Sequence, residues 1–143
     1  KFTALYGYWG GGINITDGDF SYFHYPENFS QQNPDRFQYT LMPTHMRQFF
    51  SNEELQTATL HKPFDFTKDV PVLKINRIER KTDGGYKGFE DTKSALYNLS
   101  DDPGQLSPIN DEEKFKKYQQ IMIDIINEYD PPDELIKNYF KNN

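Results

Sequence analysis

The sequence predicts an α+β fold in which an antiparallel sheet of about four strands packs against a C-terminal helix. Three observations carry that expectation. Residues 13–25, INITDGDFSYFHY, alternate apolar and polar side chains on both sides of an Asp-Gly pair, a strong short-range hairpin signal. From residue 110 the apolar period changes from 2 to 3.6, with Phe115, Tyr118, Met122, Ile125, Ile126 and Tyr129 forming one stripe. Asp130-Pro131-Pro132 then stops that helix, and Leu135, Ile136, Tyr139 and Phe140 make the apolar side of a short second one. A ribbon with one greasy face and a helix with one greasy stripe bury each other.

Composition sets the frame. A chain of 143 residues reads as a single domain that can bury about two thirds of its unfolded surface. Mean hydropathy is low at -0.90, yet 16% of residues are aromatic, so the core should be built from Phe and Tyr more than from aliphatics. Sixteen basic against 22 acidic residues leave a net charge of -6, which argues against a nucleic-acid partner. There is no cysteine, which excludes disulfides, thiol chemistry and zinc–cysteine sites and is compatible with the cytoplasm. No apolar run approaches the length of a membrane span. The chain opens KFTALYGYW, without an initiator Met or signal-peptide layout, and reads as an excised fragment.

Taken in order, residues 2–9 alternate and predict a strand feeding the hairpin, with Gly10-Gly11-Gly12 breaking or bulging it. In the hairpin, a two-residue turn at Asp17-Gly18 would set Thr16 opposite Asp19, Ile15 opposite Phe20 and Ile13 opposite Tyr22. That pairing puts Ile13, Ile15, Phe20 and Tyr22 on one face, and Asn14, Thr16, Asp19 and Ser21 on the other. Residues 26–36 form a polar loop, and residues 37–42 resume an extended pattern that Pro43 halts. Ser51 and Glu54 have capping-box spacing and open a short helix to about residue 60. Residues 70–78 form a further strand, with Val70, Val72 and Lys74 opposite in facing to Leu73 and Ile75.

Residues 82–92 carry a second Asp-Gly turn, residues 95–99 a short strand, and residues 106–109 an extended surface connector. Asn110 serves as N-cap of the long helix, residues 110–129, with Glu113 reaching back to it.

Candidate chemistry is sparse. His24, His45 and His61 are far apart and show no ligand spacing, so a histidine metal site is not expected. His24, on the hairpin, reads as structural. His45 follows Pro43 on a loop, where functional side chains concentrate, and Arg47 beside it could grip an anion. Asp17/Asp19 and Asp101/Asp102 sit where turns favour Asp without any chemistry. Asn14, Asn28 and Asn98 match the glycosylation sequon. The three glycines lack the strand–GxxxxGK[ST]–helix context of a phosphate loop.

Read together, four blocks resemble the C-terminal part of a sulfatase. They are GYWGGGINITDGDFSYFHYP (7–26), YTLMPTHMR (39–47), LHKPFDFTKDVPVLKI (60–75) and LYNLSDDPGQLSPINDEE (96–113), in the family's order. Collectively they are specific; the LYNL-x-x-DP piece alone is widespread among sulfatases. Asp69 departs from the pattern, which usually has Gly after the Lys.

The resemblance implies that the machinery lies elsewhere. Sulfatases cleave sulfate esters with a formylglycine made from a [CS]-x-P-x-R motif, beside a divalent metal, usually calcium. Both belong to a larger N-terminal domain of the alkaline-phosphatase-like superfamily. This chain has no Cys and no Ser followed by x-P-x-R, so it should hold no catalytic or metal residue and be inactive alone. It would dock on that missing catalytic domain and help wall the cleft for a sulfated substrate. Thr44, His45 and Arg47, then Trp9, Gly10, Gly11 and Gly12, are the implied cleft residues. Two other readings stand beside it: a stand-alone carbohydrate- or ligand-binding module using Trp9 and exposed tyrosines, and an oligomerisation domain.

Overall fold

The computed structural model describes residues 3–7, 12–25, 37–45, 48–76 and 93–140. The expected loops at 26–36 and 82–92 lie outside them. The architecture is α+β with two antiparallel sheets rather than one. The first has four strands, β1 (Ala4–Gly7), β2 (Ile13–Thr16), β3 (Phe20–His24) and β7 (Ala95–Asn98), in the order β1-β2-β3-β7. The second, which the sequence reading did not separate, has β4 (Phe37–Thr40), β5 (Thr59–His61) and β6 (Val72–Asn76), in the order β4-β6-β5. Helices α1 (Asn52–Gln56), α2 (Glu112–Asn127) and α3 (Asp133–Tyr139) complete it.

One row of side chains explains the first sheet. Leu5, Ile15, Tyr22 and Leu96 are paired across its four strands, and Leu96 bridges on to Ile109. Ile15, Tyr22 and Leu96 are fully buried, under Tyr118, Met122 and Ile126 of α2 and Phe140 beyond α3. Tyr22 supplies the aromatic centre, meeting Phe115 edge-on at 5.2 Å and Tyr118 in a stack at 6.3 Å. Burial pushes the Tyr22 phenol above its ordinary pKa, with a hydrogen bond from Gln119 opposing.

The hairpin register corrects the expectation by two residues. Thr16 pairs with Ser21 and Ile15 with Tyr22, so the connection is wider than a two-residue turn. Only Gly18 has a left-handed φ, at 89°, whereas a type I′ turn needs two. Side chains close the loop instead. Asp17 Oδ1 accepts from the Asp19 and Phe20 N–H groups at 3.1 and 2.9 Å, and Thr16 Oγ1 donates to Phe20 O at 2.8 Å. An even shift keeps every side chain on its predicted face. Gly7 is required at the other end of this ribbon. Its φ is 150°, and a Cβ there would lie 2.5 Å from Gly12 O.

The Ser51–Glu54 capping box forms in full, with Glu54 N to Ser51 Oγ at 3.2 Å and Ser51 N to Glu54 Oε2 at 2.7 Å. The helix it opens ends earlier than residue 60. Thr57 Oγ1 donates to Glu54 O at 2.7 Å and accepts from Asn76 N at 2.9 Å, turning the chain into β5. In α2 the N-cap is Asp111, not Asn110, and its Oδ1 accepts from Lys114 N at 3.0 Å. The Lys114 ammonium, which donates to Oδ2, and then the Lys114 N–H hold this carboxyl below its ordinary pKa.

Tyr129 leaves the expected stripe and is exposed, because α2 stops at Asn127. Asp130, at a left-handed φ of 47°, caps neither helix; its Oδ2 accepts from Asp65 N at 3.1 Å. Asn14 is a strand residue, half-buried in β2 with its Oδ1 shielded from solvent. Asn98 has its amide engaged in a turn with Asp101 and Ser100, and Asn28 lies outside the described residues.

Candidate functional site

The implied cleft residues that the structure describes, Gly12, Thr44 and His45, lie next to strands of two different sheets. Gly12 is buried at the start of β2, where a Cβ would lie 2.6 Å from the Tyr25 ring. Thr44 and His45 follow β4, with Thr44 half-buried and bridged to Phe49. Trp9, Gly10, Gly11 and Arg47 lie outside the described residues. His45 Nε2 sits 3.0 Å from Glu54 Oε1, and its ring tilts over Phe50 at 4.1 Å. Its backbone N–H donates to Gln48 O at 2.7 Å. Glu54 is almost completely buried, so His45 braces the carboxylate that caps α1.

The other histidines are also engaged. His24 is buried between Tyr22 and the Tyr139 carbonyl, at 3.0 and 2.6 Å, and burial holds its pKa below the ordinary value. His61 donates from Nδ1 to Lys62 O at 2.7 Å.

A constellation that the sequence reading missed lies on the second sheet. Four rings pack in series there. Tyr39 meets His61 and Phe64 edge-on at 5.1 Å each, His61 stacks on Phe64 at 5.0 Å, and Phe66 lies parallel to Phe64 at 5.2 Å with 3° between planes. The outermost ring, Phe66, is 69% exposed. A short 3-10 turn, Asp65–Thr67, sets this spacing, and Thr67 Oγ1 holds it by accepting from Phe64 N at 3.0 Å. Asp65 N donates to Asp130 Oδ2, which brings the chain beside Tyr129, also 69% exposed, to the same corner. Lys68 and Asp69 follow with φ of 51° and 63°, two consecutive left-handed residues without glycine.

The foot of the stack is polar and tied down. Tyr39 Oη donates to Glu134 Oε1, and Lys74 Nζ lies 3.1 Å from the same oxygen and 3.9 Å over the Phe37 ring. Burial, and then the Glu134 carboxylate, drive the Tyr39 phenol far above its usual range. For Glu134, burial pushes upward, but the hydrogen bonds from Tyr39 and Lys74 outweigh it and leave the pKa lowered. The signal was present in PFDFT, where two Phe flank an Asp. An expected helix to about residue 60 leaves no β5 strand to carry His61 beside it.

A shallow groove of about 250 Å³ lies along α2, lined by Asn110, Glu112, Phe115, Lys116 and Gln119. The amide of Gln119 is committed to Tyr22 Oη at 3.0 Å. Among the described residues, no group of three or more His, Asp or Glu side chains is placed to hold a metal ion. No helix among them is long and apolar enough to cross a membrane.

No family model, characterised protein or solved structure matches the chain. The sulfatase resemblance therefore stands on the quoted motifs alone. The described geometry offers an aromatic face fixed by its neighbours, with Phe66 and Tyr129 both exposed.

Proposed function

We propose that this chain is a non-catalytic binding module that holds a carbohydrate, or a ligand with a similar apolar face, on its exposed aromatic rings. The observation that carries the reading is Phe66, exposed on one face and backed in parallel by Phe64 on the other. The C–H face of a sugar ring packs against such a surface, and a ring already fixed by its neighbour loses little freedom on binding. Tyr129 supplies a second face, and Asp65 and Asp69 supply hydroxyl-binding oxygens. Calorimetric titration of the 143-residue chain with hexose oligomers tests this. Phe66→Ala should weaken binding by roughly tenfold, the equivalent of about 1.4 kcal/mol. Absence of binding to every oligosaccharide would overturn it.

A second reading has its own observation. Leu41, Met42, Phe49, Leu55 and Leu60 are all exposed, Phe49 by 81%, and they lie in the segment that contains Thr44 and His45. Exposed apolar side chains grouped in this way suit a protein interface. Together with the sequence blocks, they support a docking domain of a sulfatase-like hydrolase, covered by an N-terminal domain that carries the calcium and formylglycine. In that setting Thr44, His45 and Arg47 would face the sulfated substrate. A [CS]-x-P-x-R motif upstream of Lys1 in the full gene product, and altered KM or kcat in His45→Ala of the intact enzyme, are the expected results. An upstream sequence lacking the motif would remove this reading.

A further inference from the structure

The two sheets end differently at their edges. In the second, both outer strands run toward prolines, Pro43 beyond β4 and Pro63 beyond β5, which blunt them against further pairing. In the first, β7 is closed on its outer side, where Ile109 N donates to Leu96 O at 2.7 Å. β1, at the opposite end, pairs only with β2 among the described residues. Residues 3–7, TALYG, carry no charge and no proline, so nothing in this strand guards its outer row of backbone N–H and C=O groups. The apolar row shows the same contrast. It continues past Leu96 to Ile109 but stops at Leu5, which is only half-buried.

We propose that β1 pairs antiparallel with β1 of a second copy of this chain, joining two four-stranded sheets into one continuous sheet. Antiparallel pairing of a strand with itself is two-fold symmetric, so the contact closes at a dimer. The faces set the register. Directly opposed residues share a face, and Leu5 lies on the core face while Ala4 and Tyr6 lie on the other. Pairing Leu5 with the Leu5 of the second copy carries the apolar row through the two-fold axis and sets Ala4 opposite Tyr6. The shapes match there. Tyr6 is 43% exposed and held in place, edge-on to Phe23 at 6.5 Å with its hydroxyl 3.2 Å from Ser21 Oγ, and Ala4 leaves room for its ring. Two chains of net charge -6 can also meet along this strand without setting its side chains charge against charge.

Sedimentation velocity of the 143-residue chain, over roughly 10 µM to 1 mM, reads the association directly. A short edge contact lies at the weak end of interface sizes, so the chain should be half dimeric at about 100 µM. Leu5→Lys sets two ammonium groups opposite each other across the axis and should leave a monomer throughout that range. Leu5 also packs on the core, so Ala4→Lys is the second variant; with Leu5 in place, the added edge charge should weaken the dimer roughly tenfold. Amide hydrogen exchange of the native chain should slow along Ala4–Gly7 as concentration rises. A native chain still monomeric at about 1 mM, a dimer indifferent to Ala4→Lys, or concentration-dependent protection confined to other segments would overturn the proposal.

Discussion

His24 donates from Nε2 to the carbonyl oxygen of Tyr139 at 2.6 Å, joining β3 to the end of α3 across 115 positions. A carbonyl only accepts, so Nε2 carries the proton and Nδ1 is the acceptor, taking the Tyr22 hydroxyl proton at 3.0 Å. The Tyr22 oxygen in turn accepts from Gln119 Nε2 at 3.0 Å, and Phe140 lies flat on the imidazole at 4.6 Å. Three elements thus meet at one neutral histidine.

That arrangement predicts a pH dependence. Burial disfavours the imidazolium, with the Tyr139 bond opposing only in part, so the folded pKa lies below the ordinary 6.5. The unfolded chain then binds more protons, and the stability from His24 is complete above about pH 6.5 and falls as the pH drops toward the folded pKa. Melting temperature measured from pH 7.5 to 5 should decline more steeply for the native chain than for His24→Gln. Parallel curves would refute the relay.

Glu134 gives a second, lower window. Its folded pKa is below 4.5, so its contribution is present above that value and is lost as pH falls through the folded one. Replacing it with Gln should cost about 1–2 kcal/mol at neutral pH, because the charge-assisted bonds from Tyr39 and Lys74 are weakened. Urea unfolding at pH 7 and pH 4 reads this directly: the gap between native and variant should narrow at the lower pH.

Asp69 holds a φ of 63° where the sulfatase pattern has glycine. A left-handed non-glycine residue is strained, although Asp tolerates the region better than most. Asp69→Gly should therefore stabilise the chain by about 0.5 kcal/mol, seen as a higher urea midpoint at unchanged slope. A loss of stability would show that the Asp69 side chain makes a compensating contact.

Gly7 should tolerate nothing larger. Gly7→Ala combines a φ of 150° with a Cβ 2.5 Å from the Gly12 carbonyl oxygen, a backbone atom that cannot swing aside. The expected loss is roughly 2 kcal/mol or more. An unchanged midpoint would mean that β1 does not pair with β2 as described.

Much of the first sheet was legible in the sequence because side-chain alternation is a local property. Ile13, Ile15 and Tyr22 face the core whether the register is the expected one or the observed one two residues away. The capping box at Ser51 was equally legible, since both partners lie within one turn. In the second sheet β4 and β6 were legible as extended runs at 37–42 and 70–78, but β5 and the pairing of the three were not. Thr59, Leu60 and His61 pair with Lys74, Leu73 and Val72, and nothing within three residues announces so distant a partner. The aromatic stack depends on that pairing, because His61 joins Phe64 and Tyr39 only once β5 lies beside β6.

By itself, then, the sequence determined which face of the hairpin and which stripe of α2 form the core, through periods of 2 and 3.6 that need no knowledge of the partner, but not that Ser21 on the opposite face is buried too. The tertiary structure alone decided the hairpin register, where Tyr118 Oη donates to Asp17 Oδ2 at 3.0 Å from across the core. It also decided that Tyr129 faces outward and that Asp130 caps a turn 65 residues away. The contacts of Asp17 and Asp130 join groups remote in the chain, whose meeting is set by packing rather than by any local pattern.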